Sequence, residues 1–176
     1  MDIAPWFARL PRLIADVQTL DLGYPVGAHT IFPPADKTVL TQFVQKTGLA
    51  STHPLVTLYS HCNGIDLPDV HNGYFIHNVE RILHGLETGE PTRLATNLAE
   101  TMVVFGSDGG GSRFVIRTQG PTEVLYLPLG AVHNAIFEDE RTPPTVLAPD
   151  FFAFLRRLEA DINAFLADRD DWVFMA

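Results

Sequence analysis

The chain has 176 residues, enough for one domain with an ordinary core, and 46% of them are hydrophobic, too many for a disordered chain. A formal net charge of −9 and a pI near 5.1 argue against nucleic acid as a direct ligand, because phosphate binding needs clustered Lys and Arg. The same charge suits a basic protein partner, or serves solubility alone.

Cys62 is the only cysteine, so no intrachain disulfide is possible. The N-terminal residues lack the basic and apolar regions of a signal peptide, and no apolar run approaches the ~18 residues of a membrane span. A cytoplasmic location without membrane contact is the expectation. No repeat, low-complexity tract or long linker divides the sequence, so 1–176 reads as a single domain.

Taken in chain order, Trp6, Leu10, Leu13, Ile14 and Val17 recur at helical spacing. Pro11 interrupts them, so either a helix starts near Pro11 or a longer one kinks there. A loop through Gly23, Pro25 and Gly27 leads to Ile31 and Phe32, which precede Pro33-Pro34 and read as extended chain. Asp36 is placed to cap a helix carrying Val39, Leu40, Phe43 and Val44, with Gly48 as its left-handed stop. A third helix starts at His53-Pro54, buries Leu55, Leu58, Tyr59 and Cys62, and ends at Asn63-Gly64.

Tyr74-Phe75-Ile76 reads as a short strand. Asn78 then caps a helix with Val79, Ile82, Leu83 and Leu86 on one face, closed by Gly89. Strand-like segments follow over 102–105, 113–117 and 123–127. The glycine-rich 106–111 stretch links the first two as a hairpin loop that needs positive φ angles. Residues 132–137 add another strand. Asp150 opens a last helix with Phe151, Leu155, Leu158, Ile162 and Phe165 on one side. Helices, then hairpins, then a closing helix predict an α+β fold with antiparallel pairing.

No familiar catalytic pattern emerges. The 106–111 loop lacks the Gly-Lys-Ser/Thr ending of a phosphate loop and leads into a strand, so no helix N-terminus faces a ligand there. His61-Cys62-Asn63 names the residue types of a thiol hydrolase, but neighbours on one helix point about 100° apart. Cys62 falls on the apolar stripe and reads as core. Ser107 and Ser112 have no Gly-x-Ser-x-Gly context. No two histidines have the i, i+4 spacing of a helical zinc site.

The order of three segments carries more information. Leu58-Tyr59-Ser60-His61-Cys62-Asn63-Gly64-Ile65 ends a helix. Val104-Phe105-Gly106-Ser107-Asp108-Gly109-Gly110-Gly111-Ser112-Arg113-Phe114-Val115-Ile116 forms a central hairpin, and Phe151-Phe152-Ala153-Phe154-Leu155 opens the closing helix. Over roughly 55–165 this resembles the SUKH superfamily, shared by fungal cell-wall assembly regulators of the Smi/Knr type and many bacterial proteins. The resemblance implies a mixed, mostly antiparallel sheet with helices packed around it. It also implies a non-enzymatic protein-binding module, commonly a bacterial immunity protein that neutralises a toxin, often a nuclease.

On that reading no cofactor is expected and the partner is a basic toxin domain. The acidic residues expected at its interface are Asp66 and Asp69 in the loop after Gly64, Asp108 in the hairpin, and Glu138, Asp139 and Glu140 after the last of the strands. The competing expectation is a small-molecule or metal site in which His61, His71, His77 and His133 converge with a carboxylate. A regulatory scaffold without a toxin is a third.

Overall fold

In the computed structural model, which describes residues 3–120 and 122–167, helix α1 (Ala4–Gln18) runs straight through Pro11. The helical spacing of Trp6, Leu10, Ile14 and Val17 outweighs the one lost backbone bond, since all four are buried. Trp6 Nε1 donates to the carbonyl of Leu155 at 2.9 Å, so the first helix is fastened to the last. Strand β1 (Thr30–Ile31), helix α2 (Lys37–Thr47) and helix α3 (Pro54–His61) follow. Asp36 caps α2 by accepting Thr38 N–H at 2.7 Å, and Gly48 ends it at φ 72°.

Strands β2 (Ile65–Leu67) and β3 (Tyr74–Ile76) form a hairpin, and helix α4 (Val79–Thr88) leaves it, capped by Asn78. Then come β4 (Arg93–Leu94), β5 (Met102–Asp108), β6 (Arg113–Arg117), β7 (Val124–Leu127), β8 (Val132–His133), β9 (Ile136–Phe137) and β10 (Thr145–Ala148). Helix α5 (Phe151–Leu166) closes the described chain, with Asp150 accepting Ala153 N–H at 2.7 Å. No helix among the described residues is long and apolar enough to cross a membrane.

The main sheet has seven strands in the order β1-β2-β3-β5-β6-β7-β10, each antiparallel to its neighbours. A second sheet has the order β4-β9-β8, and its β4–β9 pair is parallel. The fold is therefore α+β with a mostly antiparallel sheet, as the sequence predicts.

Strand alternation gives the main sheet two different faces. Ile65, Leu67, Tyr74, Ile76, Val103, Phe105, Phe114 and Ile116 point to the helices and make the larger core. Phe105, Phe114, Phe151 and Phe154 interlock there with ring centroids 5.3–6.4 Å apart. Each such side chain stabilises the fold by roughly 1.5–3 kcal/mol through burial. On the opposite face Met102, Val104, Val115, Leu125 and Leu127 form a smaller core with Phe137 from the second sheet. The second sheet covers only part of this face.

Several elements differ from the sequence reading. Asp66 lies inside β2, not in a loop; three residues between Gly64 and Pro68 are too few to show a strand period. Strand β10 was not predicted, because Pro143-Pro144 and Pro149 bracket it like a loop. Residues 132–137 are two short strands, since Asn134 and Ala135 turn the chain at φ 52° and 59°. The strands also begin among the helices rather than after them.

The glycine-rich segment differs as well. Gly106, Ser107 and Asp108 belong to β5, and within 106–111 only Gly111 has a positive φ, at 89°. Gly106 is glycine for lack of room. A bulge places Phe105 and Gly106 together against Phe114, and a β-carbon on Gly106 would lie 2.6 Å from Phe75 O and 2.9 Å from Phe114 Cδ2.

Candidate functional site

Where the second sheet stops, the uncovered face of the main sheet carries a row of directly paired residues. Asp66 pairs with Phe75, Phe75 with Ser107, and Ser107 with Arg113. Paired residues on adjacent strands share a face, so this row puts a carboxylate, an aromatic ring, a hydroxyl and a guanidinium side by side. The bulge at Phe105 creates it. One extra residue in β5 turns Ser107 away from the helices.

The wall of the site comes from the junction of β3 and α4. His77 is buried, and its backbone is held on both sides: its N–H donates to Phe105 O at 2.9 Å and its carbonyl accepts the Tyr59 hydroxyl at 2.9 Å. That fixes the imidazole, whose Nε2 lies 2.9 Å from Ser107 Oγ. One turn into α4 stands the exposed Arg81. At the far end of that helix Glu90 accepts from Arg113 Nε at 2.6 Å. Arg113 Nη1 is buried and has no hydrogen-bond partner among the described residues.

These side chains line a cleft of about 510 Å³, within the usual size of small-ligand pockets. Burial, reinforced by the charges of Arg81 and Arg113, pushes the His77 pKa down to about 3. The imidazole is therefore neutral at physiological pH. Ser107 and His77 have the composition of a nucleophile and its base, but a base this weak takes a serine proton poorly at neutral pH. The pair is suited to hydrogen bonding rather than proton abstraction.

The six carboxylates expected at an interface fall in two places, and three of them are consumed by the fold. Asp69 accepts Gly27 N–H at 2.6 Å and lies 3.3 Å from the buried His29 Nε2. Asp108 accepts Gly110 N–H and Ser112 N–H, both at 2.9 Å, through Oδ1. Asp139 is buried and accepts both the backbone N–H and the hydroxyl of Thr96. Asp66 is half-buried in the row just described, where burial raises its pKa against the pull of Arg81.

Glu138 and Glu140 are exposed, and their carboxylates make no hydrogen bond or ion pair among the described residues, although Glu138 N–H donates to Ala131 O at 3.0 Å. They flank a groove of about 490 Å³ with His133, Arg141 and Thr142. Leu129, 70% exposed, stands two residues along the chain from Ala131 in that groove.

The four histidines of the competing expectation do not converge. His61 is exposed at the end of α3 and packs on the ring of Phe7 at 5.7 Å. His71, at φ 51°, lies against Phe165 with Nε2 3.4 Å from the buried Asp161 Oδ2. His77 faces Ser107, and His133 is exposed on β8. Among the described residues no three His, Cys, Asp or Glu side chains come together as metal ligands.

Arg81, Glu90 and Arg113 are the site residues that sequence reasoning passed over. One signal was present. Arg113, Val115 and Arg117 alternate along a strand, so both cations had to share a face with Val115. No protein-family model matches this chain, and neither does any curated protein.

Proposed function

We propose that the chain is a non-catalytic protein-binding module that docks on a basic partner through the groove beside Glu138 and Glu140. The observation that carries this reading is the pair of exposed carboxylates with no partner among the described residues, in a chain of net charge −9. Carboxylates held in the open speed encounter with a positive surface, and the nearby Leu129 offers an apolar contact once the two surfaces meet.

The resemblance to the SUKH superfamily supports the same reading and gives the partner a class. It would be a toxin domain, such as a nuclease, whose basic cleft is covered by this cytoplasmic immunity protein. Of the acidic residues expected at the interface, Glu138 and Glu140 then act directly, while Asp69, Asp108 and Asp139 shape loops.

Affinity capture from the source organism tests the proposal, comparing the native chain with the double variant Glu138→Lys, Glu140→Lys. One basic protein should be enriched by the native chain and depleted about tenfold or more with the variant, as loss of steering and of rim contacts requires. A captured nuclease or other toxin assigns immunity; a cell-wall or scaffold component assigns regulation. Equal capture by both chains, or no basic protein with either, would overturn the proposal.

A further inference from the structure

His71 sits in a conformation that costs energy. It lies in the loop between β2 and β3, and its φ of 51° is in the left-handed region that residues other than glycine rarely adopt. Such strain persists only where the surroundings hold it. Here they are the ring of Phe165, 5.1 Å away, and the carboxylate of Asp161, whose Oδ2 is 3.4 Å from His71 Nε2. Both belong to α5. Asp161 is fully buried, with both oxygens shut away from solvent, whereas the His71 side chain is 31% exposed.

A buried carboxylate is costly as an anion. Burial raises the Asp161 pKa, against the pull of the Tyr74 hydroxyl on β3, of His71, and of Arg157 one turn earlier on α5. Tyr74 in turn feels Asp108 and Tyr126. With one proton between them, His71 and Asp161 are an ion pair or two neutral groups, and either way the pair has no net charge. With none, Asp161 is a buried anion beside a neutral ring.

We propose that a single proton shared by His71 and Asp161 latches the β2–β3 loop onto α5, and that the loop loosens as the pair gives up that proton with rising pH. Solvation sets the sign. In an open loop both groups meet water, and the carboxyl returns to its ordinary range. The closed loop therefore binds the proton more tightly, so closure is favoured in acid and lost as pH rises. The other histidine contact of the loop acts in the opposite sense. Asp69 lies beside His29, whose pKa burial lowers, so protonation there loosens the loop only in acid. The latch reaches the cleft, because Gly73 O accepts Gly109 N–H at 3.1 Å and Gly109 lines it. It does not depend on the protein partner, whose proposed groove is lined by other residues.

Amide exchange of Gly73, whose N–H donates to Val70 O at 2.9 Å, tests the latch. NMR would follow it from about pH 5 to about pH 9, a range that brackets the ordinary imidazole pKa. Each rate is divided by that of an unstructured chain at the same pH. In the native chain this ratio should rise with pH, by up to about tenfold per unit, the limit for one proton. Ile116 in the central strand β6 should stay protected throughout. Asp161→Asn, which keeps the buried shape without the charge, should give a ratio that does not change with pH. His71→Gln should raise the ratio about tenfold at about pH 7 and flatten its rise, as loss of a charge-assisted hydrogen bond predicts. This second variant changes only a loop side chain, so it decides alone if Asp161→Asn does not fold. The proposal is overturned if the native ratio is flat or falls with pH, if Ile116 rises in step with Gly73, or if either variant keeps the native pH profile.

Discussion

The Tyr126 hydroxyl lies 3.0 Å from Asp108 Oδ2 and 2.7 Å from Ser112 Oγ, tying β7 to the turn between β5 and β6. With the two amides on Oδ1, the Asp108 carboxylate organises the whole hairpin end. Asp108→Ala should therefore lower stability by about 1–3 kcal/mol in urea unfolding, the range for losing hydrogen bonds to a charged group. A docking role predicts the opposite pattern, unchanged stability with slower association. Measuring both on one variant separates them.

Gly106→Ala should be destabilising for a different reason. The new methyl group would meet the Phe75 carbonyl at 2.6 Å, which side-chain rotation cannot relieve. Overpacking of this kind costs about 1–3 kcal/mol. Thermal unfolding should show Tm falling by roughly 2–4 °C per kcal/mol for a chain of this size.

His77 gives the fold a pH dependence with a definite sign. Its pKa is about 3 in the folded chain, against about 6.5 unfolded. The stability it contributes is fully present above about pH 6.5 and is lost as pH falls toward 3, because only the unfolded state takes up the proton. The loss has a limiting slope of about 1.4 kcal/mol per pH unit. The difference in stability between the native chain and His77→Gln should therefore shrink as urea unfolding is repeated from pH 7 down to pH 4. A difference that stays flat means that the imidazole titrates normally in the fold.

Cys62 should be unreactive until the chain unfolds. It is fully buried, and burial pushes its thiol pKa up to about 11. At pH 8 a colourimetric disulfide reagent should label the native protein only at its rate of opening. In urea one thiol per chain should react at once.

What the sequence made legible was local. Asp36 and Asn78 each cap the helix expected of them, and Asp150, expected at the start of the last helix for its charge, caps it too, because a cap depends on residues two or three positions away. The apolar stripes of α1 and α5 were readable for the same reason. Register was not. Ser107 meets Arg113 and Phe75 only because β5 carries a bulge, and nothing local to Arg113 announces a bulge elsewhere in the chain. The acidic residues misled in an instructive way. Asp108 precedes three glycines, and an aspartate in a tight turn bonds its own neighbouring amides before it meets any partner.

The second sheet has a further consequence. It joins the rest of the molecule through the smaller core and the bond from Met102 N to Thr92 O, while the Asp139 clamp on Thr96 holds its own β4 and β9 together. Lifting it away breaks no strand pair of the seven-stranded sheet and leaves the phenylalanine cluster packed. It should therefore open as a cooperative unit at a lower free energy than the whole chain, which hydrogen exchange of its amides would show. The surface it bares, Val104 and Val115, continues the row of Ser107 and Arg113. The area of sheet that the protein offers on this face would then be set by an equilibrium.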